Sequence, residues 1–516
     1  YLGRLNDIPI PIKLGAYSFG INKTNLVGLI NTSQTFSGIV YHTSRAMQDE
    51  YPDLASLFPS DNNVLGATTN TAPSVHLSRA LELIEINNKN IRNLEIDNKF
   101  LIKRLENTLE VLGENRTSLV KINHIKSYLP ELLGHTTKQR YLVLFQDTNQ
   151  PMPTGGKLKA YSVLEVEKGK LIFEKAKPIS ALDSQIDLNQ SALKAPDPIA
   201  QFTSNENLYL KDANWNPDIN TSAKKIINSY KYASLDKESF DGIIIANQDF
   251  LKDILGDIKP ISVVGLNRKI DQSNFTEIYE THSLDKDKDT SESFIATMIS
   301  GILSQISNKT NGQGLIDSVF NSLENKNLAF YHNNDKILGA LTENNWASNL
   351  DTSNYDDYLY ILDSYLDGTG SLDRNVQYQG YFSEDNNNFM RKVTITYAID
   401  ENKTESILNY IRALLPKDVS LTRATLSDKS GQRDITRILK KESVLNRYSY
   451  GADILINPLA KTEITLEYES KNVVEKDGLV DIFVQKQPGI NPVEYEFIMS
   501  YPNGTEITPE MIPEEG

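Results

Sequence analysis

The spacing of apolar residues changes twice along this chain, and each spacing permits a different secondary structure. From residue 76 the apolar residues recur every seven positions, as in a helix that buries one face. From about residue 136 short apolar runs alternate with helical stretches. From about residue 376 apolar and polar residues alternate one by one, as in strands with one buried face. The sequence therefore predicts a helical layer, an α/β body and a β-rich region, in that order.

The helical repeat covers most of residues 76–135. It fits either a helical layer within one chain or a coiled coil between subunits, and Asn88 and Asn98 on the same stripe would weaken a tight dimer seam. Residues 1–75 are rich in Gly, Ser, Thr, Asn and Pro and are predicted to form an extended arm or an irregular cap. The stripe consists of Leu77, Ile84, Ile91, Leu105 and Leu112.

Residues 136–375 are predicted to form the α/β domain, because strand-like and helix-like segments alternate there. A hairpin is predicted around Lys168 and Gly169, where a Lys-Gly turn separates two apolar runs. Strands are predicted at residues 140–146, 240–246, 327–331 and 357–362. Helices are predicted at residues 223–232, 248–254, 291–306 and 315–323.

Residues 376–516 are predicted to form an antiparallel β-sandwich, because period-two runs there are separated by Gly, Pro and Asn turns. The last residues, 508–516, combine two prolines with acidic groups and are predicted to be a tail. The alternating runs include Val393, Ile395 and Tyr397; Val480, Ile482 and Val484; and Tyr495, Phe497 and Met499.

Charge and composition exclude several functions. The 516 residues carry a formal charge of −15, which repels phosphate backbones and argues against nucleic-acid binding. The absence of cysteine excludes disulfides, thiol catalysis and cysteine-ligated zinc. No apolar stretch approaches the roughly 18 residues of a membrane helix. Because the chain opens at Tyr1 without Met or a signal peptide, we expect membrane attachment only through a segment absent from this chain.

Catalytic motifs are also missing from the sequence. None of the six histidines lies two or four residues from another, and no Gly-x-Ser-x-Gly elbow occurs. The Gly-Gly-Lys of residues 151–158 is unlike a phosphate loop, because Pro151 replaces the first Gly and Leu158 replaces the magnesium-binding Ser or Thr. We therefore assign no catalytic residue and expect no organic cofactor.

One acidic run is a candidate calcium site. Asp285, Asp287 and Asp289 alternate along the chain as carboxylates do at the start of a calcium loop. Thr290 stands where an EF-hand needs Gly, and Ala296 where it needs a bidentate Glu, so an EF-hand is rejected. The alternatives are a calcium site of another kind and a solvated run of charge at a helix start.

Three short motifs lie within residues 140–156, 212–218 and 240–244. They resemble the signatures of a bacterial exported family, domain of unknown function 4012. The order and spacing of the motifs, together with Asn345-Trp346 further on, agree with that family over residues 77–450. The first motif contains Asp147, Gln150, Met152, Pro153, Thr154, Gly155 and Gly156. The second and third contain Trp215, Pro217, Asp218, Asp241 and Gly242.

The resemblance implies an extracellular protein of the bacterial cell envelope. The strand, loop and hairpin are more distantly similar to LytR-CpsA-Psr enzymes, which transfer glycopolymers and use arginines on phosphates and carboxylates on magnesium. This chain departs from the family loop: Asp147 takes the position of Asn, Gln150 that of Glu and Met152 that of Arg. We therefore expect residues 147–156 to be structural here, and Trp215 to be a core anchor.

The first hypothesis is a non-enzymatic structural or surface-array subunit at the bacterial cell surface, which associates with copies of itself. The second is a LytR-CpsA-Psr-like phosphotransferase that acts on a cell-wall glycopolymer near residues 147–156. The third is an adhesin or carbohydrate-binding surface protein that binds through the β-rich region. Ordered lattices or filaments in electron micrographs would favour the first of these.

Overall fold

The structure of the protein is a computed structural model. It describes parts of 31–45, residues 121 and 125, and the ranges 75–92, 127–186, 193–236, 238–283, 288–308, 312–370, 372–383, 388–399, 405–471, 480–490, 493–500 and 506–507. The protein is an α/β protein with three mixed or antiparallel sheets. The chain divides into two compact units, residues 1–139 with 166–171, and the rest up to residue 514.

The first sheet has the strand order β3-β2-β1-β5-β6, with β4 beside β2. Strands β1 and β5 are parallel, and β6 is antiparallel to β5. The predicted strand at 140–146 continues to residue 152, so the expected loop shrinks to the two turn residues Pro153 and Thr154. The strands are β1 (Gln139–Met152), β2 (Gly155–Glu167), β3 (Lys170–Phe173), β4 (Lys177–Pro178), β5 (Gly242–Ala246) and β6 (Leu328–His332).

The helices of the α/β region agree closely with the hydrophobic pattern. Asn247 caps the helix predicted at 248–254, since its side chain accepts hydrogen bonds from the backbone N–H groups of Asp249 and Phe250. The helices are α1 (Val75–Arg92), α2 (Leu129–Leu132), α3 (Ser180–Ile186), α4 (Asp197–Thr203), α5 (Ile219–Ala233), α6 (Gln248–Ile254), α7 (Phe275–Ser283), α8 (Lys288–Asn308), α9 (Gly312–Glu324) and α10 (Asp335–Glu343). A 3₁₀ turn spans Leu210–Asp212.

Two further sheets follow, with orders β13-β12-β16-β10-β9-β18-β19 and β14-β15-β11-β7-β17, and β8 beside β11. Strand β7 is where the sequence predicts it, but it pairs with β11 and β17 rather than with the first sheet. The strands are β7 (Asp357–Leu362), β8 (Tyr365–Asp367), β9 (Leu372–Phe382), β10 (Asn388–Ile399), β11 (Ile407–Pro416), β12 (Ser420–Asp428), β13 (Gly431–Asp434), β14 (Lys440–Val444), β15 (Arg447–Ile456), β16 (Thr462–Lys471), β17 (Ile482–Gln485), β18 (Glu494–Ser500) and β19 (Glu506–Ile507).

The expectation that these sheets are wholly antiparallel is wrong at two places. Strand β17 runs parallel to β7, and β18 runs parallel to β9. A parallel neighbour cannot be reached through a two-residue turn and needs a crossover connection. An alternating pattern reports which face of a strand is buried, but not the direction of its partner, so the sequence did not reveal this pairing.

Two buried aspartates at the ends of β7 bind side chains of the neighbouring seven-stranded sheet. Asp357 accepts hydrogen bonds from the Tyr378 and Tyr468 hydroxyls at 2.7 and 3.0 Å, and Arg391 lies at 3.2 Å. Asp363 repeats the pattern with the Arg374 guanidinium and the Tyr397 hydroxyl as donors. A single apolar cluster contains side chains from strands of both sheets.

The N-terminal region is described only in part. Ile84 and Ile91 are buried, as the seven-residue repeat predicts. The described residues between 31 and 45 are helical rather than irregular, and Ile39 packs against Ala80 and Ile84 of α1. The side chain of Leu77 and all of Asn98, Leu105 and Leu112 lie outside the described residues. Among the described helices, none combines the length and hydropathy needed to cross a membrane.

Candidate functional site

The first signature motif is a hydrogen-bonded turn between β1 and β2. The Thr154 hydroxyl accepts hydrogen bonds from the side-chain amides of Gln146 and Asn214, at 2.7 and 2.9 Å. Asn214 also donates to the Gly156 carbonyl at 2.8 Å, and the Gln146 amide oxygen accepts from the Gly156 backbone N–H. All these side chains are buried, and their hydrogen bonds join the turn to the segment that carries the second motif.

Both glycines of the motif are required by the space around them. Gly155 has φ +133°, and a Cβ there would lie 2.3 Å from the Gln146 amide oxygen. A Cβ on Gly156 would lie 2.3 Å from the Asp147 carbonyl oxygen. Since real contacts of this kind exceed about 3 Å, the turn closes only with glycine at both positions.

Two of the three residues that depart from the family loop, Gln150 and Met152, are used in packing. Met152 is buried in an apolar cluster with Ile199, Trp215 and Tyr410, so it joins the α/β region to strand β11. The Gln150 amide donates to the Gly368 carbonyl at 3.3 Å, and a backbone hydrogen bond of 2.7 Å joins Gly370 N–H to the Asn149 carbonyl beside it. These positions therefore hold the signature motif against the β-rich region.

Residues 480–490 and 493–500, called here the C-terminal segment, include side chains that contact the signature turn. The fully buried Gln487 side chain donates to the carbonyls of Met152 and Asp363, at 3.0 and 2.8 Å, and accepts from the Asp363 backbone N–H. Gly489 follows with φ +68°, and a Cβ there would lie 2.8 Å from the Gly155 carbonyl oxygen. The segment thus fits against the turn through one amide side chain and one glycine.

Trp215 lies in the centre of this junction, with Met152 in its cluster. Its carbonyl accepts a hydrogen bond of 2.8 Å from Arg412, whose guanidinium lies 4.5 Å from the indole centroid. The Tyr410 ring packs against the indole with centroids 5.3 Å apart. Burial lowers the pKa of Arg412 to about 10, and the indole face stabilises its positive charge.

The remaining signature residues hold segments of the backbone in position. Asp218 caps α5, since its carboxylate accepts from the backbone N–H and hydroxyl of Thr221 at 2.9 and 2.8 Å, and Pro217 is buried before it. The Asp241 carboxylate accepts from the Arg140 backbone N–H at 2.8 Å. A Cβ on Gly242 would lie 2.3 Å from the Tyr331 carbonyl oxygen, so the central strands approach closely only with glycine there.

Asp147 is the one carboxylate of the first motif, and it is buried. Desolvation raises its pKa, while Lys159 and hydrogen bonds from Asn149 oppose the rise. Desolvation also raises the pKa of Asp249, and desolvation, with both carboxylates adding to it, raises the pKa of the buried Tyr279 hydroxyl. The buried acidic groups on this side of the turn therefore ionise less readily than they do in water.

A second group of buried carboxylates lies beside the Leu210–Asp212 turn. The Asp183 carboxylate accepts from the Leu210 backbone N–H at 2.6 Å, and Glu292 accepts from the Ser180 backbone N–H at 3.0 Å. Burial raises the pKa of Asp183 to about 7, with Asp212 and Glu292 adding to the rise and Lys211 opposing it. The sequence drew no attention to this group, because its members are far apart along the chain.

The candidate calcium residues are not tested by the structure. Asp285 and Asp287 lie outside the described residues, as does the side chain of Asp289, although residue 289 is within α8. Among the described residues, no group of three or more metal-binding side chains is close enough to hold an ion.

The polar contacts of the junction were not predicted, because the residues that make them come from distant parts of the chain. Gln487 and Arg412 are the side chains of the junction that sequence reasoning missed, whereas Asn214 lies within the second motif. Gln487 follows the alternating run 480–484, and its position just beyond a predicted strand gave no sign that it would be buried. The junction consists mainly of neutral hydrogen bonds and apolar contacts, which suit it to holding elements together.

Residues 137–283 match the model of a family described as "Protein of unknown function (DUF4012)". This match confirms the family resemblance drawn from the motifs over residues 137–283. The match covers β1 to β5 and all three motifs, whereas Asn345-Trp346 lies beyond it. No curated protein matches the chain.

Solved structures show only weak similarity. An M1 zinc metallopeptidase from Deinococcus radiodurans is 12% identical over 26% of this chain and 33% of its own, with a TM-score of 0.15. A mutant of that enzyme bound to a Tyr-ser-ala substrate is 13% identical over 25% and 32%, with the same TM-score. The chain spans about a third of the length of these enzymes, and the similarity supports no statement about fold or function.

Proposed function

We propose that the protein is a non-enzymatic, extracellular protein of the bacterial cell envelope, which works as a structural or surface-array subunit. The observation that carries the proposal is the use made of Gln150 and Met152. Both occupy positions where the family loop has an ionisable residue, and both make packing contacts with the β-rich region instead. A loop committed to holding two parts of a chain together suits a structural protein.

The finer architecture belongs to the same proposal. We propose that the two C-terminal sheets face each other as a β-sandwich, supported by their shared apolar cluster and by the hydrogen bonds of Asp357 and Asp363. We further propose that α1 belongs to a helical layer over residues 76–135. The burial of Ile84 and Ile91 supports this, because both lie on the predicted apolar stripe.

The alternative is a phosphotransferase of the LytR-CpsA-Psr type. That chemistry needs cations on the phosphates, and the family's Arg position holds the buried apolar Met152. Asp147 is buried and is the one carboxylate of the first motif, so this motif supplies at most one carboxylate ligand for magnesium. An adhesin or carbohydrate-binding role of the β-rich region stays a prediction.

A transfer assay tests this proposal against the enzyme alternative. The purified chain is incubated with a polyprenyl-pyrophosphate-linked glycan, cell-wall acceptor and magnesium, alongside Asp147→Ala and Asp335→Ala. Asp335 is exposed in the first turn of α10, away from the signature motif, and serves as the matched control. We expect no transfer by any of the three. Transfer by the wild type and by the control, lost in Asp147→Ala, would overturn the proposal.

A further inference from the structure

The C-terminal segment joins each of the two C-terminal sheets in an unusual way. Among the strands described in these sheets, the only parallel pairs are β17 with β7 and β18 with β9. Without them, the antiparallel pairs β13-β12-β16-β10-β9 and β14-β15-β11-β7 remain intact. The two strands therefore lie along edges that the antiparallel pairs would present without them, as an added strand does in β-augmentation.

The edge of β9 is shaped to receive the side chains of β18. Tyr495, Phe497 and Met499 point toward the core and lie beside Val376, Tyr378 and Gly380, respectively. The Phe497 and Tyr378 rings have centroids 5.4 Å apart. A Cβ on Gly380 would lie 2.5 Å from the Met499 sulfur, so glycine leaves a notch that the methionine fills.

The edge of β7 receives β17 through polar anchors. The Gln485 amide oxygen accepts from the Tyr358 hydroxyl at 2.5 Å and from the Asp351 backbone N–H at 3.0 Å. Phe483 stacks on Tyr355 with ring centroids 4.7 Å apart. Gln487 then enters the signature turn, as described above. In the described parts of the segment, alternate side chains of β17 and β18 make these contacts.

We propose that the C-terminal segment is exchanged between subunits, so that β17 and β18 of one copy occupy the β7 and β9 edges of another, and Gln487 occupies its signature turn. The inference rests on the proposed function, and it names the contact through which copies associate. An exchanged segment makes every contact just described, because the copies are identical. Domain swapping of this kind is a low-cost route from monomer to oligomer.

The N-terminal arm is a weaker candidate for this contact. Part of it already packs within its own chain, where Ile39 contacts α1. The C-terminal segment instead follows residues 472–479, and its strands β17 and β18 pair with β7 and β9, which lie far from them along the chain. The swapped and unswapped forms differ only in the path of the connecting residues, so the equilibrium between them depends on protein concentration.

Thiol cross-linking tests the exchange, and the chain's lack of cysteine makes every introduced thiol unique. Gln377 and Glu496 are register partners on β9 and β18, and their side chains hydrogen-bond at 2.8 Å on the outer face. The full-length variants Gln377→Cys and Glu496→Cys are co-expressed, purified together and treated with a short bis-maleimide. Each variant treated alone measures cross-linking through chance encounters.

Exchange predicts that the mixed sample forms a covalent species of twice the 58.1 kDa chain mass, well above the yield from either variant alone. The double variant, which carries both cysteines in one chain, measures cross-linking within a single chain. Cross-linking in the double variant with none in the mixture would overturn the proposal. Gln379→Cys and Ile498→Cys, the neighbouring register pair, repeat the test if either first variant fails to fold. Sedimentation of the wild type separates segment exchange from self-association in general. Oligomers without mixed cross-links would reject exchange alone. A strict monomer would reject the proposed self-association as well.

Discussion

Replacing Asp183 by Asn should change how stability depends on pH. The Asp183 carboxylate is buried beside Asp212 and Glu292, and its pKa is raised to about 7 from an ordinary 3.8. The folded state therefore binds a proton that the unfolded state releases between these pH values. The contribution of this group to stability is complete below pH 3.8, declines as the pH rises, and reaches its minimum above about pH 7.

The size of the effect follows from those two pKa values. One unit of pKa corresponds to about 1.4 kcal/mol, so the ionised group costs the folded protein up to about 4 kcal/mol at alkaline pH. Between about pH 5.5 and 8.5, above the isoelectric point near 5.1, the cost grows by about 2 kcal/mol. Asn cannot ionise, but its amide oxygen keeps the hydrogen bond from the Leu210 backbone N–H.

Urea unfolding of wild type and Asp183→Asn at several pH values measures this difference. We expect the stability of the variant relative to wild type to rise by about 2 kcal/mol from pH 5.5 to 8.5. Comparing the two proteins at each pH cancels the titration of groups that do not interact with Asp183. Asp335→Asn, which alters an exposed carboxylate, is the control and should show a constant difference. A constant difference for Asp183→Asn would refute the reasoning.

Three other predictions concern packing and charge. Met152→Arg, which restores the family residue, should lower the free energy of unfolding by about 3 kcal/mol or more, whereas Met152→Leu should cost less than about 1.5 kcal/mol; equal urea midpoints would contradict this. Asp363→Asn should cost about 3–5 kcal/mol in the same assay, because it leaves the Arg374 guanidinium buried without a counter-charge. If Asp285, Asp287 and Asp289 bind calcium, a chelator should lower the melting temperature and oligomer size; unchanged values would leave them as solvated charge.

Much of the α/β region could be predicted because its signals are local. The helix α6 begins after Asn247 and matches its predicted bounds, since a cap and an apolar period lie within a few residues of each other. The hairpin turn at Lys168 and Gly169 also forms, with φ of 51° and 75°. Residues 357–362 form a strand as predicted, because six consecutive positions there are buried.

The features that the sequence did not predict depend on partners that are distant along the chain. Residues 357–362 could not reveal that β7 would pair with β11, and the alternation of 495–499 gave the buried face of β18 but not its parallel direction. The roles of Gln150 and Met152 are also non-local. Their departure from the family pattern indicated lost charge, while their contacts with Gly368 and Tyr410 appear only in the fold.

Electron microscopy of the purified full-length protein tests the central claim most directly. A structural subunit that associates with its own copies should form ordered lattices or filaments at high protein concentration, and sedimentation of the same sample should show species larger than one chain of 58.1 kDa. Dispersed particles of single-chain size at every concentration, with sedimentation as a strict monomer, would contradict the account.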